Sequence, residues 1–302
     1  MATTPRPSKH RSYCVYAGEF VENDLMNNEH VIPKLLGGNR STVIQVSRSL
    51  NSHIATKIDA SVATDPMVMF GRRDAGKRGH SGKDPIPSWR GAKSLKEGEP
   101  WGSGEKNFRL EFPKGGTRVL NEKTRQILPQ SVFADTGFIV EELRIDHVAR
   151  FRFVLKTLLG VGWKLFDNGL LSSMDTDLIR AIMFQPISFT EKPNENGIGY
   201  IDEFMPNSSP YRENMEALKK VIVTAGETSI TASEVDSRLE WSVVCLGHLV
   251  GTVNVPLVRS LLGDECAGRT LRLVVEEHAL RRSVLNRLKT PEQIDATSQK
   301  GT

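Results

Sequence analysis

The sequence is poor in cysteine and contains no long apolar run. Its 302 residues include only three cysteines, Cys14, Cys245 and Cys266, and none of them is closely spaced with another. This usage excludes a disulfide framework and a complete zinc site, and it suits a reducing cytoplasm. No stretch of about 18 apolar residues is present, so we expect no membrane span. The polar, basic N-terminus lacks the apolar core of a secretory signal, and we therefore expect a cytoplasmic protein.

The net charge is small, at +4, but it is unevenly distributed along the chain. Residues 1–120 contain 19 Lys and Arg against 12 Asp and Glu, whereas residues 121–302 contain 21 against 24. A basic N-terminal part joined to an acidic remainder is typical of a polyanion-binding module on a globular support. The alternative is an ordinary solvated surface with a chance asymmetry.

Local patterns near the N-terminus predict two short strands followed by a helix. Residues 12–16 are prone to β structure, and residues 41–46 form the clearest strand pattern of this part. Gly37-Gly38 marks a turn between the strands. From about Leu50 to Val62, apolar residues recur at helical spacing. The predicted order is strand, glycine turn, strand, helix.

Residues 71–104 are rich in Gly, Pro, Lys and Arg, and we predict a loop without regular structure. A loop of this length inside a compact domain is usually functional or disordered. Its functional interpretation is a segment that grips phosphates, with Trp89 or Trp101 stacking on an exposed base. The alternative is a solvated insert. The candidate nucleic-acid-binding residues, here and near the N-terminal turn, are Lys34, Arg48, Arg72, Arg73, Lys77 and Arg78.

The second half of the chain predicts a mixture of helices and strands. Apolar residues at helical spacing predict a core helix over 141–159, ending near Gly160 or Gly162. A hairpin is predicted at 108–120, and two further strands are predicted at 237–255, hinged at Gly247.

One stretch carries a specific resemblance. Residues 28–38 read NEHVIPKLLGG, and Asn51 follows at the start of the predicted helix. An acid beside a histidine, an Ile-Pro step, a Gly-Gly turn and a spaced Asn resemble the HNH (ββα-metal) nuclease motif. The likeness is strongest to the branch that reads roughly EHxIPxxLGG…N, and it covers about residues 13–60.

The resemblance implies a role for each of three side chains. His30 would be the general base, while Glu29 and Asn51 would bind one divalent cation, Mg²⁺ or Mn²⁺, beside the scissile phosphate. Histidine is mostly neutral at cytoplasmic pH and can accept a proton, and carboxylate and amide oxygens suit Mg²⁺. The position that orients His30 should fall near Thr42, and that role stays open. Two structural alternatives also stay open: Glu29-His30 as a solvated pair at a strand end, and Asn51 as a helix cap.

Glu29 and His30 face a geometrical requirement. Neighbours on a regular strand point to opposite faces, so the pair can serve one site only where the strand bends or ends. The polar run before them and Pro33 after them make a kink the expected solution.

The chain departs from many members of that branch, which hold a structural zinc with two Cys-x-x-Cys pairs. The corresponding segments here read Cys14-Val15-Tyr16-Ala17 and Ser47-Arg48-Ser49-Leu50. One thiol of four cannot form a closed tetrahedral site, so we expect no structural zinc.

Together these patterns predict an α+β protein. The expected parts are an HNH ββα-metal nuclease core at 12–65, a basic loop and β-hairpin at 66–120, a mixed α/β C-terminal domain at 121–288, and flexible tails at 1–11 and 289–302. The expected function is Mg²⁺-dependent hydrolysis of phosphodiester bonds in DNA, in phage, restriction or defence biology. The alternatives are an RNase, a non-enzymatic DNA-binding protein on a degenerate HNH scaffold, and a latent effector. The C-terminal domain would select targets, sense a signal, or bind a second copy or a protein partner.

Overall fold

The protein is α+β, as the sequence predicts. The computed structural model describes residues 10–79, 82–95, 108–129, 137–140, 143–185, 197–204, 216, 218–266 and 268–286. Residues 1–9 and 289–302 of the predicted tails, and Trp101, lie outside this part of the chain. None of the described helices is long and apolar enough to cross a membrane.

Two antiparallel hairpins and a helix form the N-terminal region. The paired strands are β1 (Arg11–Cys14) with β2 (Glu19–Glu22), and β3 (Met26–His30) with β4 (Val43–Ser47). The helix follows β4 directly as α1 (Arg48–Ile54), a π-helical segment (Ala55–Asp59) and α2 (Ala60–Ala63). Ile54, Ile58 and Val62 are buried, so the helix packs through the apolar face that the sequence predicts.

The prediction of an unstructured loop at 71–104 is wrong in part, because among the described residues only 75–79 and 82–87 lack a helix or strand. Helix α3 (Pro66–Asp74) and strand β5 (Ser88–Leu95) enter this stretch. Strand β5 joins β6 (Phe108–Glu111), β7 (Arg118–Asn121) and β8 (Gly137–Val140) in a sheet of order β7-β6-β5-β8, which includes the predicted hairpin. The rings of Phe70, Trp89 and Phe112 pack together, with centroids 4.6 to 6.1 Å apart. These aromatic residues, widely spaced in the chain, anchor a segment whose composition is polar.

Three further helices are α4 (His147–Phe166), α5 (Asn168–Ser173) and α6 (Thr176–Phe184). Helix α4 continues through Gly160 and Gly162, where the sequence predicts its end. A side chain at Gly160 would overlap Tyr16 and Val31, and one at Gly162 would crowd Leu170. Both glycines therefore permit close packing within the helix and do not terminate it.

The C-terminal part forms an antiparallel sheet in the order β14-β13-β10-β11-β12-β9. Its strands are β9 (Gly199–Ile201), β10 (Ser229–Val235), β11 (Arg238–Cys245), β12 (His248–Pro256), β13 (Arg269–Val275) and β14 (Leu280–Asn286). The predicted hinge at Gly247 is confirmed, because Leu246 and Gly247 both adopt positive φ between β11 and β12.

Helix α4 lies between the N-terminal region and this sheet. One buried apolar cluster includes residues of both regions. On the sheet side, Trp241 Nε1 donates a hydrogen bond of 3.1 Å to Thr157 Oγ1. On the other side, the ring of Trp163 lies 4.9 Å from that of Tyr13. The stretches predicted as domains at 12–65 and 121–288 thus share a core.

Candidate functional site

His30 is the last residue of β3, and the main chain of the following loop fixes its ring. Its Nδ1 lies 3.2 Å from the carbonyl oxygen of Asn39. A carbonyl oxygen only accepts hydrogen bonds, so in this contact Nδ1 is the donor, and Nε2 is the nitrogen that would accept a proton. The residue is half-buried. A neutral imidazole in a set tautomer is suited to general-base chemistry.

Asn39 supplies its carbonyl from a loop that is tied to the C-terminal sheet. Its Oδ1 accepts a hydrogen bond of 2.7 Å from Ser41 N. Its Nδ2 donates to the carbonyl oxygens of Glu276 and Ala279, between β13 and β14. The orientation of His30 therefore depends on a backbone contact, which no side-chain pattern in the sequence reveals.

Gly37 allows this loop to approach the sheet closely, and Gly38 allows the loop to fold tightly onto the carbonyl oxygen of Ile32. Gly37 has φ of +91°, and a side chain there would overlap Thr228. Thr228 Oγ1 donates to Leu36 O at 2.9 Å and accepts from Leu246 N at 3.0 Å. The Gly-Gly element of the motif thus has a packing reason.

Glu29 faces the interior and does not share a face with His30. The β3–β4 ladder is regular through both residues, with Glu29 opposite Ile44 and His30 opposite Val43. Strand β3 ends at His30 without a kink between the two residues, and alternation along the strand separates their side chains. Glu29 is 5% exposed, and its Oε1 lies 2.5 Å from Lys156 Nζ.

Lys156 joins Glu29 to a second buried carboxylate. Its Nζ lies 2.8 Å from both carboxylate oxygens of Asp59. Burial raises the pKa of Asp59 to about 6, with a further rise from Glu29 and an opposing effect from Lys156. Burial also raises the pKa of the neighbouring Tyr16.

Asn51 lies in the first turn of α1 and joins the helix to β3. Its Nδ2 donates to Asn27 Oδ1 at 2.9 Å and to Asn28 O at 3.3 Å. Alternation places Asn27 and Glu29 on the same face of β3. Asn51 thus approaches the face that bears Glu29, but it bonds to Asn27.

The structure shows other partners for the two side chains that the resemblance assigns to one divalent cation. The Glu29 carboxylate contacts the Lys156 ammonium group, and Asn51 Nδ2 donates to another Asn. Across the described ranges there is no group of three or more His, Cys, Asp and Glu side chains that could hold a metal ion.

The two segments compared above with zinc-binding cysteine pairs lie side by side. Ser47 N lies 3.2 Å from Cys14 Sγ, in hydrogen-bonding contact. Ala17 N and Gly18 N both donate to Cys14 O, which closes a tight turn after β1. Cys14 is fully buried and packs within the apolar cluster.

The six candidate nucleic-acid-binding residues divide into two sets. Those with exposed side chains are Lys34, Arg48, Lys77 and Arg78. Arg72 is 7% exposed and donates to Ala63 O at 2.6 Å, at the end of α2. Arg73 pairs with Asp74 at 2.7 Å and donates to Phe112 O at 3.2 Å. Arg72 and Arg73 are therefore engaged within the fold. Within the exposed set, Arg48 donates to Asp24 O at 2.9 Å and Arg78 pairs with Asp84 at 2.7 Å.

The sequence reasoning missed Lys156. This residue interrupts the apolar run FVLKTLL at 153–159, yet it is fully buried. Lysine is almost never fully buried without a partner, so its place in a predicted core helix was a signal for a buried carboxylate. Its two partners could not be identified, because they lie far away in the chain.

Comparisons with protein-family models, curated proteins and solved structures found no match for this chain.

Proposed function

We propose that this protein is an endonuclease of the HNH (ββα) type that hydrolyses phosphodiester bonds in nucleic acid, with DNA as the expected substrate. His30 is the general base. The observation that carries the proposal is the contact between His30 Nδ1 and Asn39 O, which leaves Nε2 basic. The exposed cations Lys34, Arg48, Lys77 and Arg78 would contact the phosphate backbone.

Two features of the N-terminal region support this choice. An antiparallel hairpin, β3–β4, is followed directly by a helix whose first turn bonds back to the first strand through Asn51. The segments around Cys14 and Ser47, which the resemblance aligns with the cysteine pairs of zinc-bearing members, meet in space.

In the proposed reaction, Nε2 of His30 takes a proton from a water molecule. The water oxygen attacks phosphorus, and the bond between phosphorus and the 3′-oxygen breaks. The leaving oxygen takes a proton from solvent. The products are a 3′-hydroxyl and a 5′-phosphate, as the resemblance implies.

The resemblance also implies Mg²⁺ or Mn²⁺ at the scissile phosphate. A divalent cation would stabilise the negative charge that develops there. Because the Lys156 ammonium group contacts the Glu29 carboxylate, no step is assigned to the metal. Its requirement is tested by comparing Mg²⁺ or Mn²⁺ with EDTA.

A plasmid-nicking assay tests the proposal. We expect the wild type to nick DNA with Mg²⁺ or Mn²⁺, and His30→Ala to lose nicking while it retains binding, because the substitution removes the base. His278→Ala is the matched control, since His278 is 88% exposed on the turn after β13. RNA of the same sequence serves as the competing substrate. Equal nicking by His30→Ala would remove the assignment of the base.

A second candidate is a non-enzymatic nucleic-acid-binding protein on the same scaffold. The observation that favours it is the Lys156 ammonium against Glu29. This candidate predicts equal binding by the wild type and His30→Ala, with no nicking under any metal condition.

A further inference from the structure

The loop that orients His30 is fastened to one end of the C-terminal sheet by a single side chain. Asn39 Nδ2 donates to the carbonyl oxygen of Glu276 and, at 3.3 Å, to that of Ala279. These two carbonyls belong to the turn between β13 and β14, which lies 237 and 240 residues further along the chain. The Asn39 amide is therefore a direct tie between this turn and the loop whose main chain contacts His30.

The turn that receives Asn39 is itself closed by its main chain. Glu276 N donates to Ala279 O at 2.9 Å, so the carbonyl oxygen of Ala279 accepts from the turn as well as from Asn39. Glu277 and His278, at the tip of the turn, have side chains that are 89% and 88% exposed. The main chain of the turn thus fixes the two accepting carbonyls, while the side chains of its tip extend into solvent.

The carbonyl oxygen of Asn39 is shared between local and distant donors. It lies 3.2 Å from His30 Nδ1, and it accepts from Thr42 Oγ1 at 3.0 Å and from Thr42 N at 3.2 Å. Asn39 caps the short 3₁₀ helix Arg40–Thr42, so the two contacts with Thr42 move with the loop. The contact with His30 joins the loop to strand β3. A shift of the loop would therefore break the contact with His30 first.

We propose that the two main-chain carbonyls of the β13–β14 turn are a long-range positioning element for His30. Through Asn39 Nδ2 they hold the loop where the Asn39 carbonyl meets His30 Nδ1. The inference rests on the proposed function of His30 as a general base. Such a base contributes to the rate only when its accepting nitrogen faces the reacting water, so the turn acts on catalysis without contacting the substrate. The C-terminal sheet then takes part in preparing the base, although the motif does not include it.

Two substitutions release the tie by different routes. Asn39→Ser shortens the side chain, so that its hydroxyl can still cap the 3₁₀ helix but does not reach the turn. Glu276→Pro leaves Asn39 intact and removes the N–H that closes the turn, which frees the two carbonyls to move. Neither substitution adds a charge near His30. Arg281→Ala is the matched control for Glu276→Pro, because it removes the ion pair of 2.7 Å between Arg281 and Glu276 and leaves the main chain of the turn unchanged.

The direct readout is the protonation pattern of the His30 ring in the isotope-labelled full chain. Nuclear magnetic resonance correlates the ring protons with the ring nitrogens at about pH 8, where free histidine is neutral. The His30 signal is identified by its absence in His30→Ala. We expect the wild type to carry the ring proton on Nδ1, as donation to a carbonyl oxygen requires. Asn39→Ser and Glu276→Pro should move the signal to a mixture of both tautomers, whereas Arg281→Ala and His278→Ala should keep the wild-type signal.

Plasmid nicking measures the catalytic consequence of the same variants. General-base catalysis contributes ~10²–10⁴-fold to a rate, and here only the orientation of the base is loosened, so we expect kcat to fall about tenfold in Asn39→Ser and Glu276→Pro. The KM for DNA should stay at the wild-type value, because no group proposed to contact phosphate has changed. Arg281→Ala should keep both parameters.

Two results overturn the proposal. One is an unchanged His30 ring signal in folded Asn39→Ser and Glu276→Pro. The other is loss of folding in both variants, as followed by circular dichroism, because the tie would then hold the fold and not the ring.

The inference and the proposed function fail separately. A tautomer change in a protein that never nicks DNA would keep the positioning role of the turn and remove the nuclease assignment. Nicking that depends on His30, beside unchanged ring signals in both variants, would have the reverse meaning.

Discussion

Helix α4 packs between two regions whose buried side chains differ in charge. Toward the N-terminal region, Lys156 contacts Glu29 and Asp59, and Arg150 forms a bidentate pair with Asp65 at 2.7 and 2.8 Å. Toward the six-stranded sheet, α4 packs against β11 and β12, whose buried residues are mainly apolar and include Leu239, Trp241, Val243, Val250 and Val253. One helix therefore uses ion pairs on one side and hydrophobic contact on the other.

The difference matters because the two kinds of contact respond differently to substitution. Hydrophobic burial is roughly proportional to area, so loss of one methyl group has a small, graded effect. A buried ion pair is satisfied or broken, and removal of one partner leaves an uncompensated charge in a poorly solvating interior. We expect the N-terminal side of α4 to be intolerant of single changes and the sheet side to be tolerant of conservative ones.

The largest expected effect is that of Lys156→Met. It leaves Glu29 and Asp59 close together without the ammonium, and we expect the free energy of unfolding to fall by about 3–5 kcal/mol. Urea denaturation in EDTA measures the change.

Lys164→Met is the control for that change. Lys164 donates to Val43 O at 2.8 Å but is exposed, so we expect a loss within about 1 kcal/mol. The combined replacement Lys156→Met, Glu29→Gln and Asp59→Asn should recover most of the stability, because no unpaired charge is left. A small effect of Lys156→Met alone would show that the two sides of α4 do not differ as described.

The same contrast explains which parts of the fold the sequence predicts. The α1–α2 helix and the β11–β12 hairpin follow from apolar periodicity and from the turn at Gly247, which are local signals. The extension of α4 through Gly160 does not follow, because the reason for that glycine is a contact with Tyr16 and Val31. Packing partners distant in the chain are invisible to a local pattern.

The candidate site divides in the same way. The motif singles out His30 and Asn51, and the structure places them on adjoining elements, β3 and α1. The motif predicts Glu29 as a metal ligand because it does not include Lys156. The oriented tautomer of His30 comes from a backbone carbonyl, at Asn39, which has no side-chain signature.

A pH titration tests the difference between the two sides of α4 further. Its expected effect on the free energy of unfolding lies between those of Lys156→Met and Ile230→Val. The pKa of Asp59 is raised from 3.8 to about 6, so the folded protein binds this proton more tightly than the unfolded chain does. The free-energy cost of ionising Asp59 in the folded protein is absent below about pH 4 and complete above about pH 6. Stability contributed by Asp59 therefore falls as pH rises through this window, by on the order of 1–3 kcal/mol.

Urea unfolding of the wild type and of Asp59→Asn across this window measures the effect. As pH rises, the unfolding free energy of the wild type should fall relative to that of Asp59→Asn. Ile230→Val, which changes no titratable group, should keep the pH profile of the wild type. Parallel profiles for the wild type and Asp59→Asn would show that Asp59 does not titrate here.

The smallest expected effect is on the sheet side of α4. Ile230 is fully buried on β10, opposite Val243 on β11 and Leu273 on β13. Ile230→Val removes one methyl group and leaves no charge or polar atom unpaired, so we expect a loss of about 0.5–1.5 kcal/mol in urea denaturation. A loss that equals that of Lys156→Met would contradict the contrast, because loss of a methyl group would then cost as much as loss of an ion-pair partner. A loss in the expected range, beside a severalfold larger one for Lys156→Met, would place the sensitivity of the core in its ion pairs.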